Sequence, residues 1–285
     1  MGLRLCSVFC VLSVACGRAD VDRLGVSAEE GAPQPGGSPD GANLALDLRA
    51  VARARVYFGH HSVGANMLDG LRQIAAEEGI DAIHLVQLGR EPVPSGAFFA
   101  HSGVGKNKDP MSKIDEFADR IHGGLPAEPD IAFMKLCYVD FAPDTDASEL
   151  FSHYQSTMNR LSEEHPNVRF LHTTVPLQTR KLRIKDRIRL LFDMPVWVDD
   201  SNVTRHEYNR LVRETYDKDL IIDVADQEST RPDGTRQQYA KDGKTFHSLV
   251  PAYTYDGGHL NDVGKRKIAA EMVRVIARNV DAARP

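Results

Sequence analysis

From residue 54 to residue 280 the sequence alternates short apolar runs with amphipathic stretches of helical period. Few architectures accommodate such an alternation. The runs ARVYFG (54–59), IDAIHLVQL (80–88), DIAFMKLCYVDF (130–141), VRFLHTTVPL (168–177) and LIIDVAD (220–226) predict five strands. Between them, residues 67–79 place Met67, Leu71, Ile74 and Ala75 on one helical face, closed by Gly79. Residues 111–124 do the same with Ile114, Phe117, Ala118 and Ile121, and further helices are predicted over 150–166, 205–216 and 262–280. Strands that alternate with helices imply right-handed βαβ units, and hence a parallel sheet covered by helices on both faces. In such a sheet, function gathers where the carboxyl ends of strands meet the following loops.

One strand end is unusual. The run VYFGHHSVG, starting at Val56, breaks at Gly59 into His60, His61 and Ser62 immediately before a helix. A serine at that position is either a helix cap or a hydroxyl presented for chemistry. A nucleophilic serine needs a base to take its proton and a third group to orient the base. The far end of the chain supplies both: YDGGHLNDVG sets Asp256 and His259 three residues apart, with two glycines allowing a tight turn before the last helix. The same acid and imidazole could instead cap that helix.

A nucleophile after the first strand, with D-x-x-H ahead of the last helix, resembles the SGNH (GDSL-type) hydrolase superfamily. The resemblance runs from about residue 53 to the carboxyl terminus and includes RHEYNRLVRE and the IID strand. It implies a flavodoxin-like three-layer α/β/α fold, with Ser62 as nucleophile, His259 as general base and Asp256 orienting it. His61 stands where the family's usual Gly-Asp-Ser has aspartate. The family's oxyanion hole combines the serine N–H, a glycine N–H and an asparagine amide. Here Ser62 supplies the first, and AHSGVGKNKDP offers Gly103 or Gly105 for the second, Gly105 preferred. Val139 occupies the place of the asparagine, so Asn107 is the expected substitute donor. His60, His61, Tyr138 and Asp140 are candidate pocket residues. Either histidine could also pack beside the strand, and Asp140 could organise the loop after the third strand. Cys137 reads as core.

Composition adds boundaries. The formal charge of -5 over 285 residues gives no general reason to expect nucleic acid or an acidic membrane surface as the main partner. Three of four cysteines lie in the first 16 residues, so no disulfide is expected within the body. The segment 1–16 carries Arg4 and then an uncharged apolar run, the build of an export signal. Ala15 before Cys16 resembles a lipobox, with Ser13 where leucine is usual, so cleavage and lipid anchoring both stay open. Residues 17–41, rich in Gly, Pro, Ala and acids, read as a disordered tether, and 42–285 as the hydrolase-like domain.

Residues 178–202 hold six basic residues between Arg180 and Arg189, interleaved with apolar ones. They read as a solvated helix with its apolar face packed down, or as a lid or docking surface for an acidic polymer or membrane headgroups. Trp197 follows and could stack on a sugar ring. The expected function is a serine esterase, acting on a small-molecule or carbohydrate ester such as an O-acetyl group. It is expected to be exported, to need no metal or organic cofactor and to be a monomer. Two alternatives remain: an O-acyltransferase acting on an exported polysaccharide, and a non-catalytic carbohydrate- or envelope-binding protein on the same fold.

Overall fold

In the computed structural model the described residues are 39–192 and 194–280. The export signal, Cys16 and most of the expected tether therefore lie outside the described residues. The first strand, β1 (Arg55–His60), is followed by α2 (Val63–Glu77), after an opening helix α1 (Pro39–Val51) that the alternation does not announce. Next come β2 (Leu85–Gln87), β3 (Phe98–Gly103), α3 (Pro110–Asp119) and β4 (Ile131–Met134). Then follow α4 (Ala147–Glu164), β5 (Arg169–Phe170), β6 (His172–Thr173), α5 (Ile184–Leu191) and α6 (Trp197–Thr215). The chain closes with β7 (Ile221–Ile222), α7 (Val224–Ser229), a hairpin of β8 (Gln238–Lys241) and β9 (Lys244–His247), and α8 (Asp262–Val280).

The main sheet has five strands in the order β2-β3-β1-β4-β5, all parallel. Its alternation sorts the core into two layers. Val56 and Phe58 face α1, α2 and α8, with Leu48, Met67, Leu71, Met272 and Ile276 buried around them. Tyr57, between them, faces the opposite side, against Ile114 and Phe117 of α3 and in one cluster with Phe151 of α4 and Tyr208 of α6. Side chains of successive strand residues point to opposite faces, which is how one strand serves both layers. The fold is three-layer α/β/α.

The membership of the sheet differs from expectation. β3 lies in GAFFAHSG, where no strand was expected, while the predicted strand 80–88 pairs only over its last residues. The fifth predicted strand shrinks to Ile221–Ile222, pairs with β6 in a separate ladder, and gives way to α7. The third predicted strand stops at Met134, and its tail folds into a 3₁₀ turn over Tyr138–Asp140. Local chemistry ends it: the Asp140 carboxylate accepts the Cys137 N–H at 2.6 Å, satisfying a backbone donor that would otherwise seek a neighbouring strand.

Packing of α2 on α8 decides where the site forms. An added Cβ on Gly70 would lie 2.2 Å from the Lys265 carbonyl oxygen, so a glycine there lets the two helices approach backbone to backbone. Lys265 and Asp69, Arg266 and Glu77, and Gln73 and Asp262 tie the same pair at its surface. Asn66 Oδ1 accepts the Leu260 N–H at 3.0 Å, linking the first turn of α2 to the chain just before α8. Gly70→Ala is expected to lower stability by about 1–3 kcal/mol through overpacking, read as a lower urea midpoint.

Candidate active site

Ser62 sits between β1 and α2 with φ 49° and ψ −102°, a left-handed conformation rare for a residue with a Cβ. Its hydroxyl makes no capping bond to the helix it precedes. Instead, Ser62 Oγ lies 2.5 Å from His259 Nε2, and His259 Nδ1 lies 2.6 Å from Asp256 Oδ2. The helix-cap reading of Ser62 is overturned by that contact. One tautomer satisfies the chain of bonds: Nδ1–H donates to Asp256, and the bare Nε2 accepts the serine O–H.

The turn that carries His259 is built from short-range bonds. Asp256 Oδ1 accepts the N–H groups of Gly258 and His259, at 2.9 and 2.8 Å. Gly257, at φ 100°, gives its N–H to Thr254 and its carbonyl to the Thr179 N–H. Partial burial pushes the Asp256 carboxyl up, but the His259 hydrogen bond and the two backbone donors outweigh it and bring the group down to about 2. The carboxylate is therefore charged throughout the working pH range of most enzymes. The arrangement is open to solvent, with the His259 and Asp256 side chains 44 % and 56 % exposed.

Tyr138 stands edge-on to the His259 ring, its hydroxyl 3.5 Å from Nδ1. A Cβ on Gly258 would lie 2.6 Å from the tyrosine ring, so the close approach of turn and ring requires glycine there. Beside Tyr138 opens a cavity of about 430 Å³, lined among others by Val139, Thr145, Gln178, Trp197 and Arg205.

Of the expected oxyanion donors, the glycine falls out differently. Ser62 N–H has no hydrogen-bond partner among the described residues, and it stands at the positive end of α2. Gly105 N–H is already given to Glu116 Oε2 at 2.8 Å, a bond that holds the Glu116 carboxyl below its ordinary range. With φ 55° and no room for a Cβ against Lys113, Gly105 is a turn glycine. Asn107 Oδ1 accepts from Lys113 Nζ at 2.9 Å, which orients the amide and leaves its Nδ2 donor without a partner among the described residues. Gly103, the other glycine considered, ends β3 exposed at the surface, next to His61.

The two histidines divide. His60 is buried beneath α2, stacked on Phe58, with Nε2 3.1 Å from His101 Nδ1. Burial, reinforced by His101 and Lys135, pushes it down to about 3, so it is a neutral packing residue and not a pocket wall. His61 reaches across to the loop after β3, Nε2 donating to the Val104 carbonyl at 2.8 Å. Asp140 borders the cavity, but its carboxylate faces inward, on Lys113 Nζ at 2.6 Å and on the N–H groups of Cys137 and Lys108. Both side chains of the Lys113–Asp140 pair are fully buried. Cys137 is buried and unpaired.

Two residues that sequence reasoning missed support this wall. Arg205, 1 % exposed, donates to the Tyr138 carbonyl through Nε and Nη2 and to Gln178 and Asn202. Nothing in the amphipathic pattern of RHEYNRLVRE separates it from the surface arginines around it. Glu228 is fully buried, with Oε2 accepting the Leu177 N–H at 2.6 Å and Oε1 without a partner. Burial pushes its carboxyl up to about 8, against the lowering effect of the Leu177 N–H, Lys135 and Arg205. The unfolded chain loses this proton near the ordinary glutamate value of ~4.3 while the folded chain keeps it to about 8. Stability from this group is therefore full at low pH, falls through that window and is flat above it. Glu228→Gln is expected to remove that fall, raising stability at pH 8 relative to pH 5 by roughly 1–3 kcal/mol over wild type in urea titrations.

Among the described residues, His122, Glu164 and His165 bring potential ligand atoms within 4.8 Å of one another. They lie just past α3 and at the end of α4, where the chain turns back toward β4 and β5, whereas Ser62 follows the carboxyl end of β1. Each imidazole there already bonds a carboxylate, Glu164 or Glu128.

No protein-family model matches the sequence, and no curated protein is similar to it. Solved structures similar in fold include an acetyl esterase bound to acetate, at 14 % identity and TM-score 0.43, over 80 % of this chain and 97 % of that one. A carbohydrate esterase of family 3 from Talaromyces cellulolyticus aligns at 12 % identity and TM-score 0.40 over the same shares. A structure assigned to the G-D-S-L lipolytic family, from Desulfitobacterium hafniense, aligns at 10 % identity and TM-score 0.42, over 78 % of this chain and 98 % of that one. By its own topology, and by where Ser62, Asp256 and His259 fall along it, the chain resembles the SGNH (GDSL-type) hydrolases.

Proposed function

We propose that this protein is a serine esterase that cleaves carboxylic esters through an acyl-enzyme. The observation that carries the reading is the unbroken line of hydrogen bonds from Ser62 Oγ through His259 to Asp256. His259 Nε2 takes the Ser62 proton as Oγ attacks the ester carbonyl. The resulting oxyanion meets the Ser62 N–H and the positive end of α2. The imidazolium, stabilised by the Asp256 carboxylate, then protonates the departing alcohol. Water, activated by the same histidine, releases the acid and frees the serine.

The cavity beside Tyr138 and the half-open wall at Trp197 favour a substrate carrying a ring, such as an O-acetylated sugar, with the acyl group toward Ser62. The solvent exposure of His259 and Asp256 favours water as the acceptor over a second alcohol, and so hydrolysis over acyl transfer. The strained backbone at Ser62 argues against a purely binding role, which has no use for a half-buried hydroxyl held in that conformation.

A panel of p-nitrophenyl esters, from acetate to long acyl chains, tests the proposal. Wild type is expected to turn over the short esters best. Asp256→Asn removes the charge that holds His259 in its tautomer and is expected to lower kcat by roughly 10²–10⁴-fold with little change in KM. Full activity in that variant would overturn the assigned roles. A fluorophosphonate probe separates esterase from binding protein, because only an activated serine is labelled.

A further inference from the structure

The basic segment after β6 does not pack its apolar side down. Helix α5 buries none of its residues, and Ile184 and Leu191 are 81 % and 80 % exposed. Phe192 and Trp197 follow at 73 % and 66 %. Of ten large hydrophobic residues exposed among the described residues, seven fall between Ile184 and Trp197. Ile184, Ile188 and Leu191 recur at helical spacing, so they share one face, and Arg187 and Lys185 flank it.

Charge points the same way. Residues 181–192 hold five basic side chains, Lys181, Arg183, Lys185, Arg187 and Arg189, against the single acid Asp186. Asp186 is turned back onto the Arg183 N–H at 3.0 Å, and Arg180, paired with Asp199, is not part of the patch. The patch also borders the catalytic mouth. Thr179 N–H bonds the carbonyl of Gly257 in the His259 turn, and Trp197 lines the cavity beside Tyr138.

We infer that α5, with Phe192, Met194 and Trp197 beyond it, forms a docking surface for anionic lipid membranes, seated beside the catalytic mouth. A soluble polyanion would satisfy the five cations but leave Ile184, Leu191 and Phe192 in water. A membrane interface takes both: the apolar face enters the acyl boundary while the basic flanks meet lipid phosphates. The interface would then present amphiphilic or membrane-linked esters to Ser62. That last step rests on the esterase reading, whereas the binding does not.

The test uses the full chain and sedimentation with two vesicle types: phosphatidylcholine alone, and phosphatidylcholine with about a third phosphatidylglycerol. Wild type and Ser62→Ala are expected to bind the anionic vesicles alike and to release as salt rises. The double variant Ile188→Glu/Leu191→Glu is expected to bind at least about tenfold more weakly, with its urea midpoint unchanged because both side chains are exposed. Lys185→Glu/Arg187→Glu is expected to lose the preference for anionic vesicles. Equal binding by wild type and the apolar double variant would place any membrane affinity elsewhere in the chain and overturn the inference. So would a variant that turns a dimer into a monomer without changing vesicle binding, since the face would then belong to a second copy. Vesicle binding without ester hydrolysis leaves the docking surface standing and removes only the esterase; hydrolysis without vesicle binding does the reverse.

Discussion

Replacing Ser62 by glycine is expected to abolish ester hydrolysis and yet give a more stable protein than replacing it by alanine. Both substitutions remove the oxygen that lies 2.5 Å from His259 Nε2. Turnover is therefore expected to fall by at least about 10³-fold in each. They differ in the backbone. At φ 49° and ψ −102° an alanine keeps the Cβ strain that serine bears, whereas glycine adopts that region freely. The relief, of the order of 1–3 kcal/mol, is partly offset by the larger chain entropy of unfolded glycine. A net difference of about 1 kcal/mol remains, some 2–4 °C in Tm for a domain of this size. Calorimetry on both variants and the p-nitrophenyl acetate assay check it. Equal melting temperatures would show that the turn stores no strain; residual turnover near wild type would remove Ser62 from the chemistry.

The second large effect is expected at the buried pair Lys113–Asp140. Neither side chain is exposed, and the carboxylate also holds the Cys137 and Lys108 N–H groups. Lys113→Met leaves a buried carboxylate without its cation, and removing one partner of such a pair costs about 3–5 kcal/mol. Lys113→Met with Asp140→Leu is expected to recover part of that loss, since no charge is then stranded. Urea denaturation of the two single variants and the double variant measures the coupling. The turn Tyr138–Asp140 carries the tyrosine that flanks His259. Asp140→Leu is accordingly expected to lower ester turnover as well. An additive cycle would show the pair to be energetically independent and confine Asp140 to shaping the loop.

These two sites differ in how far the sequence announced them. Ser62, His259 and Asp256 were legible because their signals are local: a serine where a strand becomes a helix, and an acid and imidazole within one tight turn. The alternation of apolar runs also carried the fold class, since burial on both faces leaves its mark on every strand. The glycine donor was not legible. Whether Gly105 offers its N–H depends on Glu116, eleven residues on, which takes it. Strand β3 was missed because its two phenylalanines follow a Pro- and Gly-rich loop and lack a clear period. The basic segment left two readings open, an apolar face packed down or a lid or docking surface, because sequence periodicity reports that a face exists and not what it meets; α5 leaves that face in solvent.

The sequence by itself determined the layered α/β class and the chemistry available at its two ends, because periodicity and short-range turns are properties of neighbouring residues. Tertiary structure alone decided that those ends meet. Ser62 and His259 are 197 residues apart, and they touch because Gly70 lets α2 lie closely against α8 while Asn66 anchors the segment before it. Long-range packing likewise turned His60 into core, Asp140 into half of a buried ion pair and Arg205 into the brace of the cavity wall. Each of those roles depends on partners distant in the chain, which no local pattern encodes.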